Sequence, residues 1–145
     1  MNPITSWQFW AILAAFFAAL TAIFAKVGVA DIDSDLATLV RTIVILLVLT
    51  AILIATGKLE IVSVSNLSPR SLLFLILSGM ATGASWICYF RALKLGNASQ
   101  VAPIDKLSVV LVALFGALFL GEQISGMNWF GVALIGIGAV FVAMK

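Results

Sequence analysis

The chain is 145 residues long, 63% hydrophobic and only 10% charged, with a formal net charge of +2 and a mean hydropathy of +1.24. A soluble domain of this size carries roughly a quarter of its residues as charges, so composition excludes one and makes lipid the fitting solvent. The pI near 9.0 rests on basic residues scattered at helix ends, which report membrane orientation rather than a nucleic-acid partner.

A spanning helix uses about 20 mostly apolar residues, and five such segments leave no room for a separate globular domain. The first, 7–29, opens with Trp7 and Trp10 where an interfacial aromatic belt would sit. Its end, Gly28-Val29-Ala30, looks like a signal-peptidase site. The apolar run before it is too long for a signal sequence and residues 1–6 carry no basic side chain, so it reads as a retained helix. Asp31, Asp33 and Asp35 form an acidic turn whose last members cap the second helix, 36–56, which holds Arg41 and is broken by Gly57.

The longest connection, 58–68, contains Lys58, Glu60 and Asn66. Ser68-Pro69 opens the third helix, 69–95, with Gly96 as its C-cap. The fourth, 99–120, is expected to run unbroken, with Pro103 tolerated near its first turn, and the fifth covers 128–144. Short connections make consecutive helices neighbours. The fold class is therefore an all-α membrane protein, a five-transmembrane-helix bundle forming one domain over 1–145. It is expected to be multi-pass in the cell (inner) membrane. Among loops and termini, Lys58 and Arg70 lie on the side of the N-terminus and Arg91, Lys94 and Lys145 on the far side. That bias is weak enough to permit insertion both ways.

The third helix carries the clearest pattern. Ser78, Thr82, Ser85 and Tyr89 recur on one face, beside a stripe of Gly79, Gly83, Trp86 and Phe90. One reading is helix packing, with the glycines allowing close approach and the hydroxyls bonding to neighbours or their own backbone. The other is a ligand cavity lined by Thr82, Ser85, Trp86 and Tyr89, since aromatic bodies with polar tips suit organic metabolites.

Lys26, Arg41, Asp105 and Lys106 interrupt apolar helices, and charges in such places are candidate functional groups. All four lie near the far-side ends, so the cations can also snorkel to headgroups. Lys26 and Arg41 are expected to contact substrate. Asp105 and Lys106, as adjacent helical residues, are expected to point in different directions. Lys26 and Arg41 are natural partners for Asp105, which serves either as an ion-pair staple or as a proton carrier. With no histidine in the chain, imidazole ligands and histidine-based acid–base chemistry are excluded. Cys88 is the single cysteine. No phosphate-binding glycine loop, nucleophile elbow or metal-spaced ligand set is present, so neither an enzyme nor a cofactor or metal is expected. Alanine stripes on the first helix and Gly131, Gly136 and Gly138 on the fifth suit close packing, including a dimer seam on the fifth.

The stretch 89–145 resembles the C-terminal half of an EamA domain of the drug/metabolite transporter superfamily. The resemblance rests on Ala92-Leu93 after an aromatic residue, the Ala98-Ser99 turn, the Leu-Phe-Leu-Gly-Glu run ending at Glu122, and the glycine-rich last helix. Lys26 and Arg41 match positions where that family often carries these residue types, and Glu122, Gly79 and Gly83 are expected to be structural. Ala18-Ala19 stands where many members have Trp-Gly. Familiar members hold ten helices as two inverted repeats, whereas this chain has one. The resemblance implies a carrier of small organic metabolites, an exporter working by alternating access between two inverted five-helix halves. The second half is supplied by an antiparallel homodimer or by an oppositely oriented EamA-like partner. The basic lean of the embedded charges favours anionic or zwitterionic substrates over lipophilic cations. A non-transporting membrane subunit or scaffold is the alternative.

Overall fold

The computed structural model describes residues 6–58 and 68–144; Met1, Glu60, Asn66 and Lys145 lie outside them. The described residues are all-helical and supply five helical segments long and apolar enough to cross a membrane. In chain order the helices are α1 (Trp7–Gly28), α2 (Ser34–Ala55), α3 (Pro69–Leu95), α4 (Ala98–Asp105), α5 (Ser108–Phe119) and α6 (Gly126–Ala143). The fourth span is thus α4 and α5 in series.

The chain divides into two compact units. One holds α2, nearly all of α3 and the turn before α2 (Gly28–Lys94); the other holds α1, α4, α5 and α6. In the first unit, Asp33 caps α2 as its side chain accepts from the backbone N–H of Asp35 at 2.9 Å and Leu36 at 3.1 Å. The helix therefore starts at Ser34, two residues before the sequence expectation. It ends at Gly57, whose φ of +64° is the left-handed conformation glycine accommodates. Lys58 N–H returns to the Leu53 carbonyl and Gly57 N–H to the Ile54 carbonyl, satisfying two end-of-helix acceptors. Ser68 caps α3 by accepting from Ser71 N–H at 3.1 Å.

Gly96 stands directly after Leu95, at the helix end where it is expected, but without the left-handed conformation, which among the described residues belongs to Gly57 and Gly121. Its carbonyl instead accepts a hydrogen bond from Lys26 Nζ at 2.7 Å, inside the second unit. The expectation that the fourth helix runs unbroken is corrected. Around Lys106 and Leu107 the backbone tightens to three-residue hydrogen bonds, Leu107 to Ile104, Val109 to Lys106 and Val110 to Leu107. This junction separates α4 from α5.

In the second unit, α6 packs along both α4 and α5. Its N-terminus is capped by Ser125, which accepts from Asn128 N–H at 3.2 Å, so α6 begins at Gly126, two residues early. Gly136 makes the closest approach to α5: a Cβ there would stand 3.2 Å from a Val110 methyl. Small residues bring membrane helices together because lipid gives apolar side chains little reason to leave it. The same physics explains why buried apolar residues are few and most large ones face outward.

Candidate functional site

The Gly28–Lys94 unit gathers the most chemistry. On α2 the covered residues are Ser34, Ala37, Thr38, Arg41, Ile45 and Thr50, the first five of them a helical stripe with spacings of three and four. Thr38 and Thr42 turn their hydroxyls back on the Ser34 and Thr38 carbonyls, each at 2.8 Å, so this polar surface is satisfied within the helix. On α3 the covered stripe is Gly83, Trp86, Phe90 and Leu93, with Phe90 and Leu93 buried.

These stripes bring together two residues singled out in the sequence. The Arg41 guanidinium carbon lies 4.1 Å over the centroid of the Trp86 ring and 5.5 Å from that of Phe90. Both distances are within cation–π range. Arg41 and Trp86 are each half-buried.

The remaining members of the expected cavity face sit differently. Ser78, Thr82 and Ser85 are exposed, and the Thr82 hydroxyl donates to the Ser78 carbonyl at 2.9 Å, one turn below on its own helix. Tyr89 is half-buried, with its ring edge-on to that of Phe90 at 6.5 Å. A Cβ added to Gly79 or Gly83 would meet no heavy atom within 4 Å among the described residues. Within this unit Gly79 is therefore open surface, while Gly83 edges the covered stripe with room for a methyl group.

At the far-side end of the same unit lies an ion pair that sequence reading missed. Arg91 grips Asp35 through both carboxylate oxygens, Nε to Oδ1 at 3.0 Å and an Nη to Oδ2 at 2.6 Å. One turn on, Lys94 Nζ donates to the Ile32 carbonyl at 2.6 Å. The signal was present as two cations three residues apart at one helix end and an acidic turn expected on the same side. The paired-fork geometry gives orientation as well as attraction, and fastens the end of α3 to the turn before α2.

In the other unit, Asp105 and Lys106 pair with each other, Nζ to Oδ2 at 3.0 Å, which corrects the expectation that they point apart. The long lysine stem spans the angular offset, and the tightened backbone at Lys106 removes the regular helical spacing on which that expectation rested. Glu122 lies against Gly116: a Cβ there would be 2.7 Å from Glu122 Oε2, and Glu122 N–H bonds to the Gly116 carbonyl at 3.1 Å. Gly121, at φ +68°, makes this reversal possible. Between α5 and α6 runs an apolar groove of about 450 Å³ bordered by Leu107, Val110, Gly136, Ile137, Val140 and Phe141. Having no polar group to orient a metabolite, it is a poor recognition site.

Comparison with known proteins adds an independent line. Residues 5–144 match the EamA-like transporter family. Over 139 residues the chain is 63% identical to a Sinorhizobium sp protein named as an uncharacterized transporter in the cobO 3' region, covering 96% of this chain and 97% of that one. It is 28% identical over 137 residues to an uncharacterized transporter of Vibrio cholerae serotype O1, covering 93% of this chain but 42% of the relative. A shorter match, 35% identical over 69 residues, covers 48% of this chain and 60% of an Aeromonas salmonicida protein. That protein is named as the probable 4-amino-4-deoxy-L-arabinose-phosphoundecaprenol flippase subunit ArnE. No solved structure matches the chain.

Proposed function

The chain belongs to the EamA-like transporter family, and from that membership we propose that it carries small organic metabolites out of the cell by alternating access between two inverted five-helix halves. The observation that carries this reading is the odd number of spans, five among the described residues. An odd repeat starts and ends on opposite sides of the bilayer, so an oppositely oriented copy builds the inverted pair around a shared cavity near the midplane. The second half is a second copy of this chain in antiparallel orientation, or a related partner chain. A relative named as a flippase subunit supports function as part of an assembly.

The open surface at Gly79, with room for a methyl group at Gly83 as well, supports the same arrangement, since small residues suit close approach by another helix. Within the Gly28–Lys94 unit, Arg41, Thr82, Ser85, Trp86 and Tyr89 are proposed as substrate-contacting residues, and Lys26 is proposed separately as a substrate contact. Trp86 and Tyr89 are only half-buried within the single chain, which supports a cavity-lining role.

Purified protein in liposomes, assayed by metabolite-resolved uptake and efflux with and without a proton gradient, tests the transport reading. Gradient-driven accumulation of an organic metabolite is expected, and its absence across a broad metabolite extract would overturn it. Topology is a separate test. Tags at Met1 and at Lys145 are each expected to be accessible from both sides of the membrane in a population of cells. Strictly one-sided labelling of each would rule out the antiparallel homodimer and leave the partner-chain arrangement.

A further inference from the structure

We propose that Arg41, seated on Trp86, is an anion-recognition element and that the transported metabolite carries a carboxylate or phosphate group. This rests on the carrier reading above and adds the chemical class of the cargo.

The other cations near this end of the unit are already engaged. Arg91 has both arms of its fork on Asp35, and Lys94 is bonded to the Ile32 carbonyl. Arg41 differs. It stacks on the rings of Trp86 and Phe90, with Tyr89 as a further electrostatic neighbour, and the ring contacts attract its charge while taking up none of its five N–H donors.

Depth makes this informative. Arg91 lies four residues from the end of α3, roughly 6 Å along the helix axis. Arg41 lies seven residues into α2 and Trp86 nine from the end of α3, so the stacked pair is roughly 10–14 Å in from those helix ends. Holding a guanidinium this far into an apolar segment is costly unless its donors find acceptors. The carboxylate nearest in sequence, Asp35, is already held by Arg91.

The aromatic contact then has a clear chemical use. Stacking holds the planar cation in one orientation and leaves its edges free, and a guanidinium edge matches two oxygens of a carboxylate or phosphate. Half-burial lowers the local dielectric, which strengthens such a contact relative to one in water. An organic cation would meet repulsion at the same place.

Trp86 is also the reporter. In full-length protein carrying Trp7→Phe, Trp10→Phe and Trp129→Phe, all other tryptophans are removed and emission comes from Trp86 alone. At constant ionic strength, inorganic phosphate and benzoate are each expected to change that emission saturably, while tetraphenylphosphonium does not. Arg41→Gln is expected to weaken the anion response by roughly tenfold or more. Arg41→Lys, which retains the charge but not the fork, is expected to fall between the two.

Absence of a saturable response to either anion overturns the inference, as does an unchanged response in Arg41→Gln or saturation by the cation alone. Because the unsubstituted Arg41 protein is itself tested, a variant that fails to fold does not remove the test. Liposome flux separates this inference from the reading beneath it. Anion binding without flux of any metabolite would uphold the site and reject the carrier. Flux of organic cations unaffected by Arg41→Gln would uphold the carrier and reject the site.

Discussion

Phe90→Ala is expected to lower the stability of the folded chain by about 2–3 kcal/mol, less than the roughly 3–5 kcal/mol typical of a soluble core. Phe90 is 3% exposed, faces Tyr89 edge-on and has the Arg41 guanidinium 5.5 Å from its ring centroid. In water the loss would include re-exposing an apolar surface. In lipid the separated helices meet another apolar environment, so what remains is lost close packing. Leu75 on the same helix is 59% exposed, and Leu75→Ala is expected to change little. Reversible unfolding in mixed detergent, comparing the two variants, checks the difference. Equal effects would mean that the covered stripe of α3 is not what holds the Gly28–Lys94 unit together.

How far the sequence reaches follows from the same absence of a hydrophobic gradient. Segment existence was legible, because five apolar runs separated by Asp, Gly and Ser-Pro punctuation leave little choice. Asp33 and Gly57 act where their chemistry demands, one as an acceptor for free N–H groups and the other at positive φ. Facing was harder to read. On a soluble helix, polar residues mark the outside, whereas in α3 both stripes are plausible inner faces. Thr82 shows why polarity does not by itself mark a packed face: its hydroxyl bonds one turn back to the Ser78 carbonyl and needs no neighbouring helix. Arg41 and Trp86 were each marked as candidates, but their contact joins α2 to α3 and no local spacing encodes it. The pairing of Asp105 with Lys106 was hidden for another reason, since it depends on a helix interruption that Pro103 alone did not place.

Asp105→Asn is expected to keep the fold and to abolish the dependence of flux on a proton gradient, leaving equal rates with and without it. Asparagine retains the size and shape of the side chain and removes its ability to gain and lose a proton. The case for this residue is partly elimination. There is no histidine; among the other described carboxylates, Asp31 lies in the connection before α2 rather than in a span, Asp33 is occupied in capping α2, Asp35 is held by Arg91, and Glu122 lies against Gly116 at the chain reversal. It is also partly position. Asp105 and Lys106 hold each other at 3.0 Å at the junction of α4 and α5, where the backbone passes through three-residue hydrogen bonds. As an ion pair the two are close to neutral together. With the carboxylate charge removed, Lys106 is an unmatched cation whose long side chain favours water or an anionic partner. Because helical hydrogen bonding is already interrupted at this joint, movement there breaks less regular structure than it would within α5. Flux measured in liposomes with imposed and collapsed gradients distinguishes the two roles of the carboxylate. If the asparagine variant keeps the full gradient dependence, Asp105 is an ion-pair staple for the α4–α5 junction and the proton is carried elsewhere.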